Sequence, residues 1–336
     1  MSTTGTQKLV TAVVTAGLVV ALAGCGGSGD GSSGAAPSSG SVQGKNVVLL
    51  AGSNTNPWAG HFNKVFTDAI TAAGGKVDQR LTTDAAEQVQ FFNQAISQHP
   101  DLIVIEILDT TATVASIKKA AAAKVPVLAF DGPPDPSVFN DVMTVESDNK
   151  ALGRIAAENL VQGMQAAGMK SGNYVTLSGM KSMILTQHRL DAFDAYMKDY
   201  PQYKQLELAD TQWSPETATT QATQLFAKYG DQLNAVYGMA DYLALPAIQA
   251  ATQAGRTPGK DVVVVGGNCF KAGIDAIKAG TYFATATEDP DTLAKQTGAY
   301  VLDYFSGKKP EQHTLVKEEQ ITKDNVATYQ EQCSHA

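Results

Sequence analysis

Short apolar runs recur along the chain from residue 45 onward, each followed by a stretch in which apolar residues return every third or fourth position. Residues 47–52 (VVLLAG) predict a buried strand, and Phe62, Val65, Phe66, Ala69 and Ile70 then repeat at helical spacing. Strand 102–108, a helix around 112–123 and strand 125–130 continue the series. After a loop rich in Pro, a second series begins with a helix marked by Leu152, Ile155, Ala156 and Leu160. Strands follow at 173–178, 205–209, 235–239, 261–266 and 282–287, with a helix carrying Leu190 and Phe193 between the first two and a last helix near 291–305. Strands this apolar, alternating with helices, belong to parallel sheets covered on both faces. Two such series in tandem predict an α/β fold of two doubly wound parallel-sheet lobes.

Open parallel sheets bind ligands beyond the carboxyl ends of their strands. In the first series those ends carry Asn54, Asn56, Pro57 and Trp58, then Glu106 and Asp109, then Asp131-Gly132. In the second they carry Ser178, Gln187 and Arg189, then Asp210 with Trp213, Ala240-Asp241-Tyr242, Asn268 and Glu288-Asp289. Both tryptophans of the chain, Trp58 and Trp213, fall in this set, one from each series. Carboxylates and amides that accept paired hydroxyls, with flat aromatic faces for the C–H side of a ring, suit a polyhydroxylated ligand. Each residue also has a structural reading. Asp and Asn after a strand often cap the next helix, and Arg189 fits a helix-anchoring ion pair better than a ligand contact.

Composition narrows the function. The 336 residues are 43% hydrophobic and 17% charged, with a net charge of −8 and no basic block, which argues against nucleic acid. No Gly-x-x-x-x-Gly-Lys-Ser/Thr or Gly-x-Ser-x-Gly pattern occurs, and the five histidines have no metal-ligand spacing. At the amino terminus, Lys8 precedes an apolar run from Leu9 to Ala23, too short to span a bilayer as a helix. The run ends in Leu22-Ala23-Gly24-Cys25, which resembles the lipobox of bacterial lipoproteins and implies a lipid on Cys25. An ordinary signal peptide with an incidental cysteine is the alternative. The segment to Gly44, mostly Gly, Ser, Ala and Pro, has the composition of a flexible tether. The organisation is therefore a signal peptide over 1–24 and a tether over 25–44. An exported chain meets oxidising conditions, so Cys269 and Cys333 could pair as a disulfide, two free thiols being the alternative.

Six motifs occur in order: Asn56-Pro57-Trp58, the run from Pro126 to Asp131, Ser147-Asp148-Asn149 followed by Gly153, Ala240-Asp241, Gly266-Gly267-Asn268 and Ala284-Thr285. On these, residues 45–330 resemble the sugar-binding proteins of bacterial ABC importers, of the ribose- and galactose-binding type (periplasmic binding protein type I). The resemblance implies two lobes joined by three hinge crossings: an N-terminal lobe of 45–147 plus 289–318, and a C-terminal lobe of 148–288 plus 319–331. It implies a ligand site of Asn56, Trp58, Glu106, Asp131, Gln187, Trp213, Ala240, Asp241, Asn268 and Glu288. There are departures from the family. Two arginine positions are Gly132 and Gln187, an asparagine is Ala240, an aspartate is Asn268 and a glutamine is Glu288. The expected pocket thus holds Glu106, Asp131 and Glu288 without a matched basic residue, which disfavours phosphorylated or acidic sugars.

The resulting expectation is a monomeric, lipid-anchored solute-binding protein on the extracytoplasmic face of a bacterial cell membrane. It would capture a neutral monosaccharide or polyol by lobe closure and deliver it to an ABC permease with its ATPase, using no cofactor or metal and binding no nucleic acid. The alternatives are a receptor that presents its ligand to a sensor kinase, and an amine-bearing or signalling-molecule ligand. An enzyme is not expected, since a glycosidase needs two carboxyls at a set separation about the scissile bond. Reference carboxylate pKa values would place any acid loss of binding at about pH 4–5.

Overall fold

The computed structural model describes Met1 and residues 41–334. The leader, Cys25 and most of the tether lie outside the described residues. The first series runs β1 (Asn46–Ala51), α1 (Pro57–Ala72), β2 (Lys76–Leu81), α2 (Ala85–Ser97), β3 (Leu102–Glu106), α3 (Val114–Ala122), β4 (Val127–Asp131) and β5 (Met143–Ser147). The second runs α4 (Asn149–Ala166), β6 (Gly172–Ser178), α5 (Ile184–Met197), β7 (Tyr203–Asp210), α6 (Pro215–Tyr229), β8 (Ala235–Gly238), α7 (Asp241–Gln253), β9 (Val263–Val265), α8 (Lys271–Ala279) and β10 (Ala284–Ala286). It is followed by α9 (Pro290–Phe305), β11 (His313–Val316) and β12 (Gln320–Thr322).

The strands form two six-stranded sheets, ordered β11-β5-β4-β3-β1-β2 and β12-β10-β9-β8-β6-β7. The first is parallel throughout, and in the second only β12 runs antiparallel to its neighbour. The two-residue period of a strand explains the apolar runs. Leu49, Ala51, Leu102 and Val104 face a core built with Phe62, Phe66 and Phe130, while Val48, Leu50, Ile103 and Ile105 face one built with Phe92, Ile96 and Ile117. Each large apolar side chain removed from water in this way contributes about 1.5–3 kcal/mol. The doubly wound expectation is met.

The chain passes between the sheets after Ser147, after Ala286 and between Val316 and Gln320. Asp148 Oδ1 caps α4 by accepting from Ala151 N at 2.9 Å, and Asp289 Oδ2 caps α9 by accepting from Thr292 N at 3.0 Å. The crossings bond to each other: Thr287 N donates to Glu319 O at 3.0 Å, and Asp148 N to Val316 O at 3.1 Å. Leu293, Ala294, Tyr300 and Val301 of α9 return to the first lobe, in the core of Phe62. Cys269, after β9, is disulfide-bonded to Cys333 with a Cα separation of 4.9 Å, which ties the carboxyl-terminal segment to the second lobe.

Several elements carry no sequence signal. β2 (KVDQRL) is a largely exposed edge strand without an apolar run, and β11 and β12 are short edge strands as well. Strand 102–108 stops as a strand at Glu106, and the run at 261–266 is a strand only over Val263–Val265.

Candidate functional site

The carboxyl ends of both sheets face one cleft. Asn56 begins α1: its Oδ1 accepts from Trp58 N at 2.9 Å and Ala59 N at 3.2 Å. That capping geometry leaves its Nδ2 to reach the opposite lobe, where it donates to Tyr242 OH at 3.0 Å and Trp213 O at 3.5 Å. Trp58, in the first turn of α1, stacks on Phe62 at 5.6 Å and is 4% exposed, yet its Nε1 is buried with no hydrogen-bond partner. Glu106 ends β3 and accepts from Gly52 N through Oε2 at 2.8 Å. Burial, and then the charge of Asp131, push its pKa up to about 7. Asp131 ends β4 with a φ of 67°, and Asn149 Nδ2 donates to its backbone oxygen at 2.7 Å. Its Oδ1 is buried and unpartnered.

From the second lobe comes Arg189 of α5. Its Nη2 lies 3.1 Å from Glu288 Oε1, its Nε donates to Asn149 Oδ1 at 2.7 Å and its Nη1 to Met239 O at 3.2 Å. The guanidinium stands 5.5 Å from the Trp213 ring. Gly153 makes this approach feasible, because a Cβ there would sit 2.1 Å from the Arg189 carbonyl oxygen and force α4 away from α5. Asn268, with a φ of 100°, accepts from Asp241 N through Oδ1 at 3.2 Å and donates through Nδ2 to Glu288 Oε2. Trp213 is held by a bond from Nε1 to the Met183 sulfur at 3.1 Å and by Gly179, where any Cβ would fall 1.8 Å from the indole.

Burial works against the Arg189 charge, but Glu288 and Asp131 outweigh it and raise its pKa, so the guanidinium stays charged. One guanidinium cannot neutralise its neighbours Asp131, Glu288 and Glu318. Burial pushes all three carboxyls up, Glu318 to about 8. Five non-glycine residues with left-handed backbone, Asp131, Gln212, Trp213, Asn268 and Cys269, lie at these strand ends. Such conformations cost of order 1–3 kcal/mol each and concentrate where a fold must aim side chains at a ligand. The free space between the inner residues is about 20 Å³, room for roughly one water. Further inter-lobe bonds run from Ser182 Oγ to Leu108 O at 2.8 Å and from Ile184 N to Thr110 Oγ1 at 3.1 Å.

Of the sequence-derived site, Asn56, Trp58, Glu106, Asp131, Trp213, Asn268 and Glu288 line the cleft together. Three positions do not. Gln187 is exposed, its Nε2 donating to Lys181 O at 2.9 Å. Two positions along a helix turn a side chain by about 200°, so Arg189 faces the cleft and Gln187 faces away. The expectation of a pocket without a basic residue is therefore corrected. Ala240 is buried at the start of α7. Asp241 is an internal brace: Oδ2 accepts from Phe270 N at 2.8 Å, and Oδ1 from Tyr282 OH at 2.7 Å and Thr285 Oγ1 at 2.6 Å. Burial, opposed by these bonds, pushes its pKa up to about 7. Tyr242, Met183 and Leu185 complete the lining. Tyr242 had a signal, its place at a strand end, whereas Met183 and Leu185 look like any apolar helix-start residues.

Residues 47–309 match the family described as periplasmic binding protein domain. A fructose import binding protein of Bifidobacterium longum is 26% identical over 315 residues, 91% of this chain and 91% of its own. A xylitol-binding protein of Mycolicibacterium smegmatis is 25% identical over 72% of this chain and 67% of its own length. A galactofuranose binding protein of known structure has the same fold, with a TM-score of 0.77 at 21% identity over 85% of this chain and 97% of its own. These relatives are binding proteins and not enzymes. The resemblance carried by the six short motifs holds, and this chain belongs to the periplasmic binding protein domain family.

Proposed function

We propose that the protein is the extracytoplasmic receptor of an ABC importer for a neutral monosaccharide or linear polyol. One observation carries the ligand class. Trp58 Nε1 and Asp131 Oδ1, a donor and an acceptor, are both buried without partners in a cleft between two indole rings. Unmade hydrogen bonds of this kind cost about 1–3 kcal/mol each, and a ligand with several hydroxyls can satisfy both. Glu106, Asp131, Glu288 and Asn268 would accept or share hydroxyl protons, Arg189 and Asn56 would donate, and Trp58, Trp213 and Tyr242 would cover the C–H faces. The fructose and xylitol relatives bind ligands of this chemistry.

Capture would proceed by the lobes parting and closing about the three crossings, since about 20 Å³ cannot admit a sugar as it stands. The closed monomer would then dock on a permease served by a separate ATPase. A lipid on Cys25 and the Gly/Ser-rich segment after it would keep the receptor at the outer face of the membrane. Calorimetric titration with fructose, xylitol, a uronic acid and an amino sugar tests the reading. Saturable binding of a neutral compound is expected, and binding of only the charged ones would sink it. Loss of membrane association in Cys25→Ser checks the anchor.

A further inference from the structure

Outward of Trp213 the cleft opens into a second space of about 380 Å³ that shares Asn56, Glu106, Met183 and Trp213 with the inner one. It lies beyond the ends of β1, β2 and β3 of one lobe and of β6 and β7 of the other. β2 and β7 are the sheet edges opposite β11 and β12, the strands next to the last crossing, so this space is on the side of the cleft away from that crossing. The inter-lobe bonds Asn56–Tyr242 and Ser182–Leu108 are made while it remains open. Lobe contact therefore does not consume it.

The walls have a definite chemistry. Leu108, Met180 and the Trp213 ring give an apolar face, while Thr82, Thr83 and Gln212 bring hydroxyls and an amide, and Glu106 and Glu216 bring carboxyls that can accept hydroxyl hydrogen bonds. Among the described residues that line the space there is no Lys or Arg. A phosphate or carboxylate would find no counter-charge, whereas a neutral polyhydroxylated group would find both a flat surface and hydrogen-bond partners. The divider itself is built at a cost. Gln212 and Trp213 are consecutive left-handed residues, each with a φ of 56°, and Gly179 leaves the gap in which the indole stands. The result places one aromatic ring in contact with both spaces.

We propose that this outer space is a second subsite, and that the protein accepts a neutral glycoside or disaccharide whose first unit fills the inner cleft and whose second lies against Trp213, Met180 and Leu108. The inference rests on the neutral-carbohydrate reading above and extends its ligand by one unit. The test compares calorimetric affinities of the full chain for fructose, xylitol and glucose with those for matched two-unit compounds: sucrose, a glucosyl xylitol and maltose. At least one two-unit compound should bind as tightly as its parent or more so. Thr83→Trp, placed in an exposed loop where it fills the outer space, should lower that two-unit-to-parent affinity ratio at least tenfold. A thermal melt of this variant confirms that it is folded. Two-unit compounds bound more than a hundredfold weaker than a normally bound parent overturn the subsite and leave the receptor reading standing. An unchanged ratio in Thr83→Trp also overturns it. Failure of every neutral compound in both sets overturns the subsite together with the reading beneath it.

Discussion

Arg189 Nη2 stands 3.1 Å from Glu288 Oε1, and each side chain is only 2% exposed. The pair joins a helix of the second lobe to the crossing that leads back to the first, with Asn149 and Asn268 as further partners. Removing one member of a buried pair strands the other charge, at a cost of about 3–5 kcal/mol. Arg189→Met leaves Glu288, Asp131 and Glu318 without a cation and should lose stability in that range, read as the urea midpoint at unchanged slope. Glu288→Gln should cost less, since Arg189 keeps Asp131 as a neighbouring charge and Asn149 as an acceptor. The reverse order would mean that the arginine is not what organises the cluster.

Glu106 gives a pH dependence with a definite sign. Its pKa is about 7 in the folded protein against 4.5 for a free side chain. Between those values the folded form holds a proton that the unfolded chain has released, so stability falls as pH rises from about 4.5 to 7 and levels off above. Glu106→Gln removes this contribution. Unfolding free energies at pH 5, 6 and 7 should therefore fall less steeply in the variant, by up to about 1.4 kcal/mol per pH unit. Parallel profiles would show that Glu106 ionises normally. The same shift moves the window in which a ligand meets a Glu106 carboxylate from pH 4–5 up to the region of pH 7.

The two lobes, the positions of most strands along the chain and seven cleft residues are legible in the sequence because they follow from local rules: a two-residue apolar period, and the carboxyl ends of parallel strands. What was not legible depended on side-chain direction. Gln187 and Arg189 share a helix turn, and tertiary contacts, the bonds of Arg189 to Glu288 and Asn149 and the close approach of α4 that Gly153 permits, go with Arg189 facing the cleft. Asp241 sits at the right strand end, but the Phe270 amide, Tyr282 and Thr285 reach it from 29, 41 and 44 residues further along the chain. β2 gives no signal because an exposed edge strand needs no apolar run.

The Cys269–Cys333 bond closes a loop of 64 residues. On chain entropy alone, opening such a loop destabilises by roughly 4 kcal/mol. The bond also adjoins the cleft, since Asn268, the residue before Cys269, holds Glu288 and accepts from Asp241 N. Cys333→Ser should therefore lower the midpoint of thermal unfolding and weaken ligand binding as well. Lost stability with unchanged affinity would show that the loop after β9 holds Asn268 without help from the carboxyl-terminal segment.

Trp58 allows its two contributions to be separated. The ring stacks on Phe62, and its Nε1 is a buried donor without a partner. Trp58→Phe keeps an aromatic face and deletes the donor, whereas Trp58→Ala removes both. If the ligand takes the indole hydrogen bond, the phenylalanine variant should lose about 1 kcal/mol, roughly fivefold in affinity. The alanine variant should lose at least tenfold, and it should also destabilise the first-lobe core through the cavity it leaves. In the free protein the phenylalanine variant should be as stable as the parent or more so, because it removes an unsatisfied buried donor. A phenylalanine variant with full affinity would mean that Nε1 finds no ligand partner. The ring would then serve only as a surface for the sugar.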